Sequence, residues 1–286
     1  MKTYSKWLLA SVVSLAGCGM VSAADMAVKA RPPAVAMGYN WTGWYGGVNV
    51  GGVYGQNGVG NNVVPGSNIN ANAITLGNLA GNGAVNATSV IGGAQIGYNW
   101  QTQQNWVLGL EADIQGMNLR ENRTSAVITV GANSAQDFDR IKHNWLATFR
   151  GRAGYAWNNA LWYVTGGLAV GDTSFSRTQT WNFADGCVVD PRNGFGDCHV
   201  GMASKTAAGA AAGVGVEYAF AGNWSAKLEY LHVWLPNQPN FVTQNSGTIF
   251  AGGIFQRFNQ TISDSNLDIV RVGVNYHFAG PVVAKY

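Results

Sequence analysis

Trp106-Val107-Leu108-Gly109-Leu110-Glu111-Ala112-Asp113-Ile114-Gln115-Gly116 is the stretch on which the reading of the fold turns. Taken with a period of two, Trp106, Leu108, Leu110, Ala112 and Ile114 share one face. Gly109, Glu111, Asp113 and Gln115 share the other. Successive side chains of a β-strand point to opposite sides, so this is a strand with one apolar and one ionic face. In a water-soluble barrel the apolar set would fill the interior. Two mid-strand carboxylates opposite aromatic and aliphatic residues suit a barrel turned inside out, apolar toward lipid and polar toward its axis.

Working outward, the pattern recurs. Trp145, Ala147, Phe149, Ala153 and Tyr155 oppose Thr148, Arg150 and Arg152. Val214, Val216, Tyr218 and Phe220 oppose Gly213, Gly215 and Glu217, and Trp224, Ala226, Leu228 and Tyr230 oppose Ser225, Lys227 and Glu229. Val270, Val272, Val274, Tyr276 and Phe278 oppose Arg271, Gly273, Asn275 and His277. Eight segments of this kind are predicted, at 43–54, 89–100, 106–116, 144–156, 161–171, 206–220, 224–234 and 267–278. Each is close to the roughly 9–11 residues with which a tilted strand crosses the hydrocarbon.

The connections alternate in length. Gln101–Asn105, Trp157–Ala160 and Ala221–Asn223 are short, with Asn158-Asn159 and Gly222-Asn223 as turn residues; 55–88, 117–143, 172–205 and 235–266 are long. Membrane barrels join their strands by short periplasmic turns and longer extracellular loops. The predicted fold is therefore all-β: an eight-stranded antiparallel transmembrane β-barrel with short periplasmic turns and long extracellular loops.

Composition agrees. Charged residues make up 11% of the 286, against roughly 25% in soluble domains, while Gly numbers 39 and aromatics reach 12%. The formal charge is +3, and removal of residues 1–23 with Lys2 and Lys6 leaves 15 bases and 14 acids, or +1. No basic run is present to hold nucleic acid. Lys2 and Lys6, the apolar Trp7–Gly17 and the small-x-small run Val21-Ser22-Ala23 predict a signal peptide over 1–23. Leu15-Ala16-Gly17-Cys18 also resembles a lipobox, so acylation at Cys18 stands as the alternative to cleavage near Ala23. Residues 24–42, with Arg31-Pro32-Pro33, are expected to be an extended periplasmic linker, 43–278 the barrel and 279–286 a short tail. Cys187 and Cys198 form an even pair in an oxidising compartment and predict one disulfide. Neither a metal site nor a cofactor motif is expected, since His199 is the lone nearby ligand type.

The inward charges balance: Glu111, Asp113, Glu217 and Glu229 against Arg150, Arg152, Lys227 and Arg271. An eight-stranded barrel has an interior that side chains just fill. Isolated charges there are costly and paired ones tolerable. These eight are expected to form an ion-pair network that closes the lumen; the alternative is the charged lining of a pore. Trp44, Tyr98, Trp100, Trp106, Tyr155, Trp157, Trp162, Trp224, Tyr276 and Phe278 gather at strand ends, with Tyr45 beside them. This is the pattern of an interfacial girdle. His143, near Asp137 and Asp139 in sequence, and His232 lie toward the loop side, where a rim enzyme would place its catalytic groups; no nucleophile motif accompanies them, and no enzyme is predicted.

The chain resembles the small outer-membrane immunogenic, or surface-antigen, barrels of alphaproteobacteria, relatives of the OmpA-like transmembrane domain. The matching residues are Ala24-Asp25 with Val28-Lys29-Ala30, then Tyr39-Asn40-Trp41-Thr42-Gly43-Trp44-Tyr45-Gly46-Gly47. Gly97-Tyr98-Asn99-Trp100, Val270–Phe278 and Pro281–Tyr286 complete them. The resemblance implies an eight-stranded outer-membrane barrel with exposed loops, set among outer-membrane lipids and lipopolysaccharide and inserted by the barrel-assembly machinery. It implies a structural and surface-interaction role, with a porin-like diffusion channel as the alternative. The long first loop and the loop bearing Cys187 and Cys198 depart from the family pattern. Only Ala279–Tyr286 follows the last segment, which gives no support to a wall-anchoring domain.

Overall fold

The computed structural model describes residues 38–64, 71–131, 133–181, 189–190, 195–196, 198–236, 238–244 and 257–278. The predicted signal peptide, Cys18, most of the linker, Cys187 and the tail lie outside these residues, as does the side chain of Cys198; the predicted disulfide therefore does too.

Eight long strands form the wall: β1 (Gly43–Val63), β2 (Gly83–Gln101), β3 (Trp106–Thr124), β4 (Asn133–Trp157), β5 (Ala160–Trp181), β6 (Cys198–Ala221), β7 (Trp224–Leu235) and β8 (Ser265–His277). Each pairs antiparallel with its sequence neighbours, and β8 pairs with β1, so the ring closes and every wall strand has a partner on both sides along its membrane-spanning part. The short turns carry the residues that a tight reversal needs. Asn105, Asn158 and Gly222 all have positive φ, at 65°, 54° and 51°. Asn and Gly adopt this left-handed backbone at least cost.

At the other end the structure departs from the expectation of long loops. Most of 55–63, 83–88, 117–124, 133–143, 172–181 and 198–205 is strand, so the wall continues well past the predicted segments. The alternation persists there, but the outward face is mainly polar, with Phe138, Val200 and Met202 as exposed exceptions, so the apolar period that marks a membrane strand ends below it. On β4 the alternation also changes phase. The pairing slips between Lys142 and Leu146, and opposite it between Gly116 and Leu119. Odd-numbered residues face inward above this bulge and even-numbered ones below it. The rim is completed by Ile128–Val130, which pairs with β4, and by Phe241–Gln244 and Arg257–Ile262, the latter taking over from β8 as the partner of Val59–Val63. A two-residue pairing joins Val189–Asp190 to Phe195–Gly196. Helix α1 (Ala71–Gly81) lies within the predicted first loop.

Glycine makes the narrow ring possible at inward positions. A Cβ on Gly51 would sit 2.2 Å from the Val270 carbonyl oxygen, and one on Gly167 2.1 Å from that of Phe149. Both distances are far inside van der Waals contact, so the wall coils where a side chain would forbid it.

Candidate functional site: the filled lumen

The inward face is stacked in layers along the barrel axis. At the short-turn end the chain before β1 folds into the mouth. Trp41 is fully buried, with its main-chain N–H donating to Gln101 Oε1 at 2.8 Å, and the Tyr39 main-chain N–H donates to the Asn158 carbonyl at 3.2 Å. The rings of Tyr39, Trp41 and Tyr45 surround His277 with centroids 5.5 Å away. The end of the predicted linker is thus part of the barrel's floor.

Above the floor, all eight predicted charges meet in one buried lattice. Arg150 donates to Glu111 Oε1 at 2.6 Å, to Asp113 Oδ2 at 2.8 Å and to Glu229 Oε1. Arg271 reaches Asp113 Oδ2 at 3.1 Å and Glu229 Oε2 at 2.9 Å, while Lys227 reaches Glu111 Oε1 at 2.9 Å and Glu229 Oε2 at 3.3 Å. Arg152 pairs with Glu217 Oε2 at 2.8 Å. The strands make this geometry directly: Glu111 stands opposite Arg150, Glu229 opposite Arg271 and Lys227 opposite Glu217 in the pairing register. Neutral groups satisfy most of what the charges leave over, Arg152 Nε excepted. Thr148 Oγ1 donates to Asp113 at 2.7 Å, Ser225 Oγ to Glu217 at 2.5 Å and Asn275 Nδ2 to Glu217 at 2.7 Å. A charge lattice in so dry a space is stable only when completed in this way.

Tyr45 corrects the predicted girdle. It is fully buried; its hydroxyl donates to Glu111 Oε2 at 2.8 Å and accepts from Arg152 Nη1 at 2.9 Å. Adjacent residues of a strand face opposite sides, so Trp44 and Tyr45 cannot both lie outside. Tyr163, also inward, stacks on the Arg152 guanidinium, 4.1 Å from ring centroid to Cζ. Trp44, Trp100, Trp106, Tyr155, Trp157, Trp162, Trp224, Tyr276 and Phe278 are exposed on the outer wall, and Tyr98 is partly exposed there. They adjoin one another in edge-to-face and tilted pairs: Trp44 with Tyr98 at 5.2 Å, Trp106 with Tyr155 at 5.6 Å and Trp224 with Tyr276 at 5.1 Å.

The next layer is not among the features predicted from the sequence. Val53, Ile91, Met117, Leu119, Leu146, Ala169, Ala211, Leu231, Val233, Leu235, Leu267 and Ile269 form a continuous apolar cluster inside the barrel. The signal was present: Leu231, Val233 and Leu235 keep the inward phase of Lys227 and Glu229. Above it lies a second polar layer. Arg123 reaches Asp139 Oδ2 at 2.8 Å, and Arg177 reaches Asp139 Oδ1 at 2.5 Å and Asp137 Oδ2 at 3.6 Å. The two arginines also hold the end of α1, whose terminal carbonyls lack helical partners. Arg123 Nη2 donates to the Ala80 and Asn82 carbonyls at 2.9 Å, and Arg177 Nη2 to that of Gly81 at 2.8 Å. Burial pushes the Glu121 carboxyl up to about 7, opposed by two hydrogen bonds from Asn57 Nδ2. Burial likewise lifts Asp137 to about 6, against the pull of Arg177.

The two histidines are not brought together. His143 is buried inside, its Nδ1 2.9 Å from the Asp172 carbonyl and its Nε2 3.4 Å from Ser265 Oγ. Burial lowers its pKa. His232 faces outward beside Asp268 Oδ1 at 2.6 Å, which also accepts from the Tyr230 hydroxyl at 2.6 Å.

Residues 12–278 match the family model described as an outer membrane protein beta-barrel domain. The 31 kDa outer-membrane immunogenic proteins of Brucella melitensis biotype 1 and Brucella suis biovar 1 are each 31% identical over 275 residues, covering 95% of this chain and 98% of theirs. A 22 kDa outer membrane protein of Rhizobium leguminosarum is 31% identical over 134 residues, 47% of each chain. Among solved structures, the outer membrane protease OmpT of Escherichia coli aligns at 11% identity with a TM-score of 0.39, covering 85% of this chain and 99% of its own. With the closed ring and its inverted faces, the match along nearly the whole chain assigns it: the chain belongs to the outer-membrane β-barrel protein family.

Proposed function

We propose that this outer-membrane protein is a closed structural barrel that presents its extracellular rim to the surroundings, and that it neither conducts solutes nor catalyses a reaction. One observation carries this reading: a buried ion lattice and a contiguous apolar layer lie in series across the same narrow lumen. A diffusion pore needs a continuous aqueous path, and the apolar layer gives water no hydrogen-bond partners. The His143 ring is committed to the main chain and to Ser265, and His232 points to the outer wall, which argues against a rim active site.

The rest of the reading follows from the sequence and from the family. A signal peptide over 1–23 delivers the chain across the inner membrane, and the barrel-assembly machinery inserts it among phospholipid and lipopolysaccharide. The outward aromatics lie at headgroup height on the periplasmic side, and the likeness to OmpA-type barrels is one of size and strand number. The Brucella relatives are named as immunogenic, and a rim built from Gly, Asn, Ser and Thr is suited to surface contact here as well.

Planar-bilayer recording of the purified, folded chain tests the central point. No stable current steps are expected; channels of defined and reproducible size would refute the closed barrel.

A further inference from the structure

Beyond the apolar band the outer wall changes character on one side. Arg120 of β3 and Arg140 and Lys142 of β4 point outward. Arg120 stands opposite Lys142, and Arg140 opposite Asn122; on β5, Ser174 stands opposite Lys142 and Ser176 opposite Arg140. Among the described residues none of these three cations enters an ion pair, unlike the arginines of the lumen. Arg120 Nε donates to Asn118 Oδ1 at 2.8 Å and Arg140 Nε to Asn122 Oδ1 at 3.0 Å, which holds both guanidinium groups against the wall. A groove of about 220 Å³ runs between Arg140, Lys142, Ser174, Ser176 and Met202. The acid two residues below Ser174 is Asp172, and its oxygens are occupied by Asn144 Nδ2 and by the N–H groups of Asn144 and Trp145. The outward acid Asp268 lies elsewhere on the ring, on β8, with His232 and Tyr230.

Position identifies the ligand. On β3 the outward series runs from Trp106 through Ile114 and Gly116 to Asn118 and then Arg120; on β4 it runs up through Phe149, Ala147 and Trp145 before Lys142 and Arg140. The cations thus begin within a few residues of the edge of the hydrocarbon, where lipid phosphates lie. Below them Ala147, Leu168 and Val170 continue the same wall as a surface for acyl chains. Guanidinium forks bind phosphate in bidentate fashion, and serine hydroxyls add donors. We propose that this face binds the phosphates of a glycolipid of the outer leaflet, an acylated sugar phosphate of the lipid A type. Arg120, Arg140 and Lys142 are the cationic contacts, and Ser174 and Ser176 are auxiliary donors.

Native mass spectrometry of the folded full chain in detergent, titrated with bis-phosphorylated lipid A, tests this. The variant R120Q/R140Q/K142Q is expected to bind at least about tenfold more weakly, the loss of about 1.4 kcal/mol or more, while dephosphorylated lipid A binds wild type and variant equally weakly. R120K/R140K, which keeps the charge but loses the bidentate forks, is expected to bind more weakly than wild type and more tightly than the triple variant. Retention of the faster gel migration of unboiled protein marks each variant as folded. Binding of lipid A by the triple variant within twofold of wild type overturns the proposal. So does equal binding of phosphorylated and dephosphorylated lipid by wild type.

Discussion

The lumen contains two adjacent layers built from the same strands in the same inward phase, and they are held by opposite physics. In the lower one, Glu111, Asp113, Arg150, Glu229 and Arg271 satisfy one another through short, directional contacts. In the upper one, Leu119, Leu146, Leu231, Val233 and Ile269 fill space without direction. The charged layer depends on every member, because removing one leaves its partners ionised in a dry interior. The apolar layer is tolerant, since each lost methyl costs only its own burial and a local void. One layer fixes the register of the ring, the other fills it without direction, and each closes the lumen.

That contrast can be broken most severely at Arg150. Arg150→Ala strips contacts from three carboxylates at once and is expected to destabilise the folded barrel by about 3–5 kcal/mol, read as the shift of the urea midpoint for loss of the fast-migrating form in detergent. A midpoint within experimental error of wild type would show that the lattice is decorative. The apolar layer is tested by Leu231→Ala, expected to cost roughly 2–5 kcal/mol, nearer the lower end if its neighbours collapse inward. Both variants are expected to stay silent in the planar bilayer, because each leaves the other layer in place; conduction by either alone would show that a single layer makes the seal.

The smallest effect sharpens the boundary between the apolar layer and the polar one above it. The Glu121 carboxyl has a raised pKa in the folded chain, so it holds a proton that the unfolded chain has lost. Stability therefore falls as pH rises from about 4.5 to about 7 and levels off above. Glu121→Gln removes this dependence. It is expected to match wild type at pH 5 and to exceed it at pH 8 by on the order of 1–3 kcal/mol, in the same urea assay. A variant no more stable than wild type at pH 8 would mean that the buried carboxylate is stabilised by more than Asn57.

Legibility in the sequence followed the apolar alternation. The turns at Asn158 and Gly222, the outward faces of the membrane-spanning stretches and the eight inward charges all follow from a period of two, where one misread phase would put an arginine in lipid. Above the band that penalty disappears. Segments such as 117–124 and 172–181 alternate between inward apolar or ionic residues and outward polar ones, and they resemble loops to a reader who expects the outward face to be apolar. Tyr45 is illegible because its neighbour Trp44 shares its chemistry, and Leu231 because an apolar residue inside this barrel is not demanded by the membrane.

The sequence alone determined that the chain closes into a ring with its polar face inward, since no other arrangement hides both the greasy residues and the backbone groups of eight membrane-length strands. Tertiary structure decided how the enclosed space is filled. Which carboxylate meets which guanidinium, the apolar plug and the anchoring of α1 by Arg123 and Arg177 depend on the stagger between strands and on the bulge at Lys142–Leu146. Those are properties of the closed ring, and no single strand carries them.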